Sequence, residues 1–333
     1  MNTIMRRATV VTAAIMAVGL LAGCGAAGPS EGDAADTAGS VGYPLTLDTP
    51  WGDTTIESQP KKVAVVSSVD LDIALALGVE PILAPQYAGN DFEAWTETAL
   101  EDRGFELETY DSTDGTDYIA IAAAEPDVIL ATSGWTLDDD YEKLADIAPV
   151  VTWGEGQELT DLTWADRTML AGKALGLEHA AQQVVGDVDA AFAEAAATHP
   201  EWQGQTLTYA VMHPSQISYV TYDGSDVSFF TDLGFVLPAA ASDFSDASNS
   251  VSIENIDVLD SDVLLVGYPF GDEGILTQTA LESNALFQQL SAVQEGRYGI
   301  LGDDVASPLA YPTPLSQPWV LDRMVTQLED TIK

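Results

Sequence analysis

Residue combinations that indicate catalysis are few in this chain of 333 residues, and its 53 Asp and Glu side chains are too numerous for a catalytic pair of carboxylates to be recognised. His213 with Ser215 is the one combination that resembles a base beside a nucleophile, and an ordinary loop pair is the simpler interpretation. The sequence has no phosphate-binding glycine loop, no His-Glu-x-x-His, and no Gly-x-Ser-x-Gly elbow between a predicted strand and a predicted helix. A single cysteine, Cys24, also excludes multi-cysteine metal centres. We predict a protein that is not an enzyme and has no cofactor and no metal site.

The charge of the chain excludes one class of partner. There are 53 acidic and 11 basic side chains, and the formal net charge is −42. The basic residues form no cluster after Arg6 and Arg7, whereas phosphate backbones and anionic lipid surfaces need clustered Lys and Arg. We therefore predict that nucleic acid is not a partner. The length favours two domains or lobes.

The N-terminus has the pattern of a secretory leader. Two arginines, Arg6 and Arg7, precede an apolar run at 10–21 that is shorter than the ~20 residues of a membrane-spanning helix. The Leu21-Ala22-Gly23-Cys24 segment resembles the lipobox of bacterial lipoproteins, which implies cleavage before Cys24 and diacylglycerol on its sulfur. An incidental cysteine behind a plain signal peptide is the alternative. We expect a leader at 1–23 and a flexible acidic tether at 24–42, with the protein extracytoplasmic and anchored to the cell membrane.

Short apolar runs alternate with helical patterns through the rest of the chain, which predicts an α/β fold with parallel strands. The longest helical pattern lies in the middle of the chain and ends before Pro200. We predict an N-terminal lobe at 43–178, a helix between the lobes at 179–200 and a C-terminal lobe at 201–333. The predicted strands lie at 63–67, 81–84, 127–131, 150–152, 207–212, 217–220, 263–266 and 298–301.

Ligands of open α/β sheets bind outside the carboxyl ends of the strands. Aromatic side chains suit such a position, because they offer rigid apolar faces. The residues that follow the predicted strands are Ser68, Tyr87, Trp135, Met212, His213, Tyr268, Phe270 and Tyr311. The alternative for each aromatic residue is ordinary core packing.

The sequence resembles the substrate-binding proteins of iron–siderophore and vitamin B12 importers. Four segments carry the resemblance: the strand and helix at 63–79, Glu125-Pro126-Asp127-Val128-Ile129-Leu130, the segment at 170–176, and the closing segment from Ser307 to Asp322. The resemblance implies two Rossmann-like lobes joined by one long α-helix, with a ligand cleft between the lobes. It also implies a monomer that captures a ferric siderophore and delivers it to the permease of an ABC transporter.

The resemblance also implies roles for single residues. Trp135 falls at a position that often stacks on the ligand, and Tyr222, Phe230 and Phe244 are further candidates for the cleft wall. Family members use one acidic residue of each lobe to dock on the permease. In the second lobe this residue is Glu254, although a carboxylate that stabilises a helix start is an equal alternative. In the first lobe Ile119 occupies the family's position, and Asp117 is the nearest substitute.

Cations are scarce enough to restrict the ligand. Arg103 is the basic residue expected to approach the cleft, because Arg167 and the other basic residues fall on helix surfaces, before strands or at the terminus. Relatives that bind highly anionic iron complexes supply several Arg or Lys. We therefore favour a ferric complex of low or positive charge, of hydroxamate type. Haem or cobalamin is the alternative within the family, and a zinc- or manganese-binding lipoprotein is the alternative outside it.

Overall fold

A computed structural model describes residues 42–87, 89–222, 228–245 and 247–332. The predicted leader, Cys24 and all of the predicted tether except Gly42 lie outside these residues. Among the helices that are described, none is both long enough and apolar enough to cross a membrane.

The first part of the chain, which we call the first lobe, runs from β1 to α5. Its strands are β1 (Leu45–Leu47), β2 (Thr54–Ile56), β3 (Val63–Val65), β4 (Ala84–Gln86), β5 (Thr109–Asp111), β6 (Val128–Leu130) and β7 (Val150–Val151). Its helices are α1 (Ser68–Ala76), α2 (Ala94–Arg103), α3 (Tyr118–Ala124), α4 (Leu137–Ala145) and α5 (Trp164–Leu175). A hairpin pairs β1 with β2, and the other strands pair in parallel. A bridge between Ala64 and Leu83 connects β3 to the β4–β5 pair, so the carboxyl ends of these strands lie at one edge.

A 21-residue helix, α6 (Glu178–Thr198), follows and overlaps the predicted interlobe helix. It packs closely on α5, since a Cβ atom on Gly172 would lie 2.5 Å from the Cβ of Ala181. Gly176, with a φ of 68°, ends α5 in the left-handed conformation that glycine adopts at least cost. Residues of α5 and α6 contribute to the cores on both sides, Ala181 to the first lobe and Phe192 to the second.

The second lobe runs from β8 to α11. Its strands are β8 (Leu207–Met212), β9 (Ile217–Tyr219), β10 (Ser250–Val251), β11 (Val263–Gly267) and β12 (Tyr298–Leu301). Its helices are α7 (Ser228–Asp232), α8 (Gln278–Glu282), α9 (Ser291–Gln294), α10 (Asp303–Ala310) and α11 (Ser316–Thr331). Five 3₁₀ helices complete the described structure, at Leu159–Asp161, Pro200–Trp202, Ala239–Asp243, Ile253–Leu259 and Phe287–Gln289.

The second sheet has the order β10-β9-β8-β11-β12 and is mixed rather than fully parallel. β8, β11 and β12 are parallel, whereas β9 is antiparallel to both β8 and β10. The short connection at 213–216 explains the difference, because a parallel crossover needs a dozen or more residues. The α/β class predicted from the sequence is confirmed, with this correction to the second sheet.

Candidate functional site

A cavity of about 320 Å³ lies at the carboxyl edge of the first sheet. Ser67 and Ser68 follow β3, and Ser133 and Trp135 follow β6. Tyr311 closes the cavity from the second lobe, since it follows α10. Trp135 is 68% exposed and Tyr311 is 49% exposed, so both aromatic rings are available to a ligand. We call this space the cleft cavity.

A buried carboxylate fixes two of the loops that line the cleft cavity. Asp70 lies in the first turn of α1 and accepts hydrogen bonds from Ser67 Oγ (2.6 Å), Thr132 N (2.9 Å) and Thr132 Oγ1 (2.6 Å). Burial raises the pKa of Asp70 above its ordinary value, although these hydrogen bonds act to lower it. Asp70 therefore ties the end of β3 to the end of β6.

Arg167 holds the same loop from the other side. Its Nε donates to the carbonyl oxygen of Thr132 at 3.2 Å, and its Nη2 donates to that of Leu159 at 2.9 Å. The prediction that Arg167 is a helix-surface residue is wrong, since the side chain is half-buried and reaches the loop that carries Trp135. Asp70 accepts a hydrogen bond from the backbone N–H of Thr132, and Arg167 donates one to its carbonyl oxygen. The two side chains together position the loop after β6.

A second buried carboxylate, Asp72, lies two residues further along α1. It accepts hydrogen bonds from Trp95 Nε1 (2.7 Å), Thr96 Oγ1 (2.6 Å) and Thr313 Oγ1 (2.8 Å). Thr313 belongs to the second lobe, so the carboxylate joins the two lobes. Burial raises the pKa of Asp72 to about 6. Asp72 and Tyr311 line a smaller cavity of about 90 Å³, which shares Ser68 and Tyr311 with the cleft cavity.

A polar recess of about 240 Å³ continues from the cleft cavity into the first lobe. Asp140 lies in its wall and accepts hydrogen bonds from the hydroxyls of Tyr118, Thr116 and Thr136. Burial acts to raise the pKa of Asp140, but these hydrogen bonds and the Lys143 ammonium group, 3.9 Å from the carboxylate, outweigh it and hold the pKa below the ordinary value. The recess therefore contains an ionised carboxylate that Lys143 partly neutralises.

The structure brings three of the predicted ligand-binding residues together around the cleft cavity, namely Ser68, Trp135 and Tyr311. The prediction that Tyr311 directly follows the last strand is wrong, because α10 lies between β12 and Tyr311. Tyr87 follows β4 at the same edge and is 55% exposed.

Arg103 lies elsewhere. It occupies the last turn of α2, and its guanidinium donates to the carbonyl oxygen of Leu75 near the end of α1. Because α1 starts at the cleft edge, this end of the helix is directed away from the edge. The prediction that Arg103 approaches the cleft is therefore wrong, and the segment that carries it is a helix rather than a loop.

Four second-lobe candidates are buried in hydrophobic cores, and a fifth, Phe244, is half-buried against one of them. Met212, Tyr222 and Tyr268 belong to one core, and their exposures are 1%, 6% and 5%. Phe244 packs on the same core and stacks on Tyr219 at 4.2 Å. Phe230 is 5% exposed in the core that includes Tyr209. Their burial contradicts the prediction that these side chains line an open cleft, and core packing accounts for them.

Phe270, an aromatic residue that follows β11, is exposed at the edge of the second sheet. Its ring stacks on His213 at 4.9 Å, and His213 Nε2 pairs with Ser218 Oγ at 3.0 Å. Burial lowers the pKa of His213. The hydroxyl beside His213 is therefore that of Ser218 rather than Ser215. In the described residues, no group of three or more His, Cys, Asp or Glu could hold a metal ion.

The candidate permease contacts lie on two surfaces. Glu254 is exposed in the first turn of the 3₁₀ helix Ile253–Leu259. Asp117 is exposed as well, and its carboxylate caps α3 by accepting hydrogen bonds from Ile119 N (3.0 Å) and Ala120 N (2.9 Å). Ile119 beside it is 84% exposed.

Sequence reasoning missed Asp70, Asp72 and the position of Arg167. One signal for the two carboxylates was present, since Asp70 and Asp72 interrupt a helix that is otherwise apolar after Ser68. Such a helix is buried, and a buried carboxylate must accept hydrogen bonds.

A family model described as "Periplasmic binding protein" matches residues 63–305. The chain therefore belongs to the periplasmic binding protein family, a family of solute-binding proteins and not of enzymes. The two-lobe α/β fold also matches solved structures of siderophore-binding members of ABC transporters.

One such structure is PiaA of Streptococcus pneumoniae in complex with ferrichrome, with a TM-score of 0.72 and 26% identity, covering 86% of this chain and 98% of that one. SirA of Staphylococcus aureus complexed with staphyloferrin B has the same fold, with a TM-score of 0.68 and 22% identity, covering 86% and 98%. The Fe(3+)-citrate-binding protein YfmC of Bacillus subtilis is 24% identical over 246 residues, which is 74% of each chain.

Proposed function

We propose that this protein captures a ferric siderophore of hydroxamate type in the cleft cavity and delivers it to an ABC importer. Cys24 carries the lipid that anchors it outside the cell membrane. Ser68, Trp135 and Tyr311 contact the ligand, and Phe270 is a candidate contact from the second lobe. The similarity to PiaA, whose structure contains ferrichrome, agrees with this ligand class.

The charge of the lining carries the proposal. In the part of the chain that the structure describes, no Lys or Arg lines the cleft cavity, the smaller cavity or the polar recess. Asp72, Glu93 and Asp140 supply carboxylates instead. Such a lining repels a tricatecholate or citrate complex, whereas a neutral or cationic hydroxamate complex suits exposed aromatic rings. The similarity to YfmC makes ferric citrate the competing ligand to test.

Fluorescence titration of the full chain in detergent tests the proposal. A neutral ferric hydroxamate, a ferric catecholate, ferric citrate, haem and cobalamin are each added at low and at high salt. We expect saturable quenching by the hydroxamate with little dependence on salt. Tight, salt-sensitive binding of the catecholate or the citrate complex alone contradicts the charge argument.

Transport assays test the docking surface. We infer that Glu254 and Asp117 contact the permease, so Glu254→Lys and Asp117→Asn should lower uptake without lowering ligand affinity. The asparagine retains the cap of α3 and removes only the charge. Asp187 is an exposed carboxylate on α6, and Asp187→Lys and Asp187→Asn are the controls with the matching changes of charge. Equal loss of uptake in each variant and its control points to net charge rather than to a contact.

Labelling with radioactive fatty acid tests the anchor. The label should appear on the parent chain in the membrane fraction and not on Cys24→Ala. Absence of label from the parent chain excludes the lipid anchor and leaves the ligand proposal intact.

A further inference from the structure

A second cavity of about 420 Å³ lies beside the loop that carries Trp135. Its walls include Trp51, Trp135 and Trp153 and the carboxylates of Asp138 and Glu158. Trp135 also lines the cleft cavity, so the two spaces adjoin at this side chain. We call the second space the tryptophan cavity.

Two of the indole rings form a corner of fixed geometry. Trp51 stacks on Tyr141, with ring centroids 4.5 Å apart and an angle of 14° between the planes. Trp153 meets Trp51 edge to face at 5.6 Å and 62°. Tyr141 is 7% exposed and supports Trp51 from behind, and Trp153 is itself buried at 6% exposure, so half-buried Trp51 and exposed Trp135 supply the open ring surface of the cavity.

Hydrogen bonds between side chains and the backbone hold the two segments that carry Trp51 and Trp153. Thr49 Oγ1 donates to the carbonyl oxygen of Gly52 at 2.7 Å and accepts from Trp51 N at 3.2 Å. On the facing loop, Gln157 Oε1 accepts from Gly154 N at 2.9 Å. The walls are therefore organised before a ligand arrives, which lowers the cost of binding.

The chemistry of the walls selects for a cation. Asp138 and Glu158 are both exposed, and within the described residues no Lys or Arg lines the cavity. Arg167 lies behind the wall, where its Nη2 donates to the carbonyl oxygen of Leu159. Aromatic faces attract a cation through their quadrupole, and carboxylates add an attraction of the same sign. A bare metal ion does not fit, because indole rings are not metal ligands.

We propose that the tryptophan cavity binds an organic ammonium group carried on an alkyl arm. When a ligand is bound in the cleft cavity, such an arm extends past Trp135 and places its ammonium group in the tryptophan cavity. The assignment of the arm to a bound siderophore rests on the proposed function, whereas affinity for an alkylammonium ion does not.

The simplest probe is pentylammonium chloride, compared with 1-pentanol as a neutral molecule of similar length. Ligand-observed NMR with the full chain in detergent, at constant ionic strength, gives both dissociation constants. We expect the ammonium ion to bind about tenfold more tightly than the alcohol. Equal affinity of the two probes, or no saturable binding of either, overturns the proposal.

Matched variants distinguish attraction by the carboxylates that line the cavity from the general attraction of a cation to a protein with net charge −42. Asp138→Asn and Glu158→Gln should together weaken pentylammonium binding about tenfold and leave pentanol binding unchanged. Asp139→Asn and Glu155→Gln remove the same charge from exposed neighbours that do not line the cavity. The proposal is wrong if both pairs weaken binding equally. Trp51→Leu, which leaves the cleft cavity intact, should also weaken binding of the ammonium ion.

A pair of chelates distinguishes this inference from the proposed function. One is a ferric hydroxamate with a pendant primary amine, and the other is its N-acetyl derivative. We expect about tenfold tighter binding of the amine, and loss of that preference in the Asp138→Asn, Glu158→Gln variant. Equal binding of both chelates overturns the assignment of the arm to a bound siderophore and leaves the proposed function standing. Failure of both chelates to bind, with pentylammonium still bound, overturns the proposed function alone.

Discussion

The two lobes present their strand ends in opposite ways. In the first lobe the loops after β3 and β6 are held from below by Asp70 and Arg167, and Trp135 is left exposed. In the second lobe Tyr268, directly after β11, packs into the core, whereas Phe270 two residues further on is exposed and stacks on His213, which follows β8. In the first lobe hydrogen bonds to buried polar side chains hold the loop and leave its aromatic ring exposed, whereas in the second lobe the aromatic ring of Tyr268 is itself part of the packing. The principle that ligands bind outside the carboxyl ends of the strands therefore identifies the edge of the sheet, but it does not identify which side chains are exposed there.

The largest effect should come from breaking the polar anchor. Asp70→Ala leaves the Thr132 N–H and two hydroxyl donors without their acceptor, at roughly 1–3 kcal/mol for each buried group. We expect the free energy of unfolding in urea to fall by about 4 kcal/mol. Asp117→Ala removes an exposed carboxylate that also accepts two backbone hydrogen bonds, and it should cost only about 1 kcal/mol. Similar losses of unfolding free energy in the two variants would show that burial does not account for the contribution of Asp70 to stability.

The junction of the lobes should respond to pH through Asp72. Its pKa is raised from 3.8 to about 6, so the folded protein binds this proton more tightly than the unfolded chain does. The stability contributed by the protonated form is therefore complete below about pH 4 and is lost as the pH rises to about 6, by up to about 3 kcal/mol.

Asp72→Asn isolates this carboxyl from the other acidic residues. The asparagine cannot ionise, so its stability relative to the parent protein should increase between pH 4 and pH 7 by up to about 3 kcal/mol. Urea unfolding at several pH values measures the difference. A constant difference between the two proteins across this range contradicts the raised pKa.

Much of the first lobe's edge could be predicted from the sequence, because short apolar strands mark where a parallel sheet ends. Ser68 and Trp135 were placed in this way. Arg103 was misplaced because α2 buries few side chains and so has little apolar periodicity, although Gly104 behind Arg103 is a helix C-terminus signal. Arg167 was misplaced because periodicity indicates the face of a helix but not how far a long side chain reaches.

The second lobe was less predictable for a different reason. Tyr222, Phe230 and Phe244 have the residue type of a cleft wall and of a core alike. The choice depends on β9, which turns back antiparallel after β8 and brings Tyr219 beneath Phe244. That contact depends on tertiary packing, which the local pattern does not contain.

Ligand affinity should show which exposed aromatic residue at the edge of the first sheet contacts the ligand. Trp135→Ala removes an exposed ring that lines the cleft cavity, and we expect the dissociation constant of a ferric hydroxamate to rise about tenfold, or about 1.4 kcal/mol. Tyr87→Ala is the matched control, since Tyr87 is a comparably exposed aromatic residue that follows β4 but does not line the cavity. Its affinity should change less than about twofold. Equal losses in both variants would assign the ligand to the whole edge rather than to the cleft cavity.

The smallest effect should come from the buried edge. The hydroxyl of Tyr268 lies in the core and has no hydrogen-bond partner among the described residues. Tyr268→Phe removes an unpaired polar atom, so stability should stay within about 1 kcal/mol of the parent protein or increase. Because Tyr268 is buried in the second-lobe core, affinity for a ferric hydroxamate should also change less than about twofold, as titration of the full chain would show. A tenfold loss of affinity without a loss of stability would mean that this hydroxyl reaches the ligand, and the contrast between an open first-lobe edge and a closed second-lobe edge would then fail.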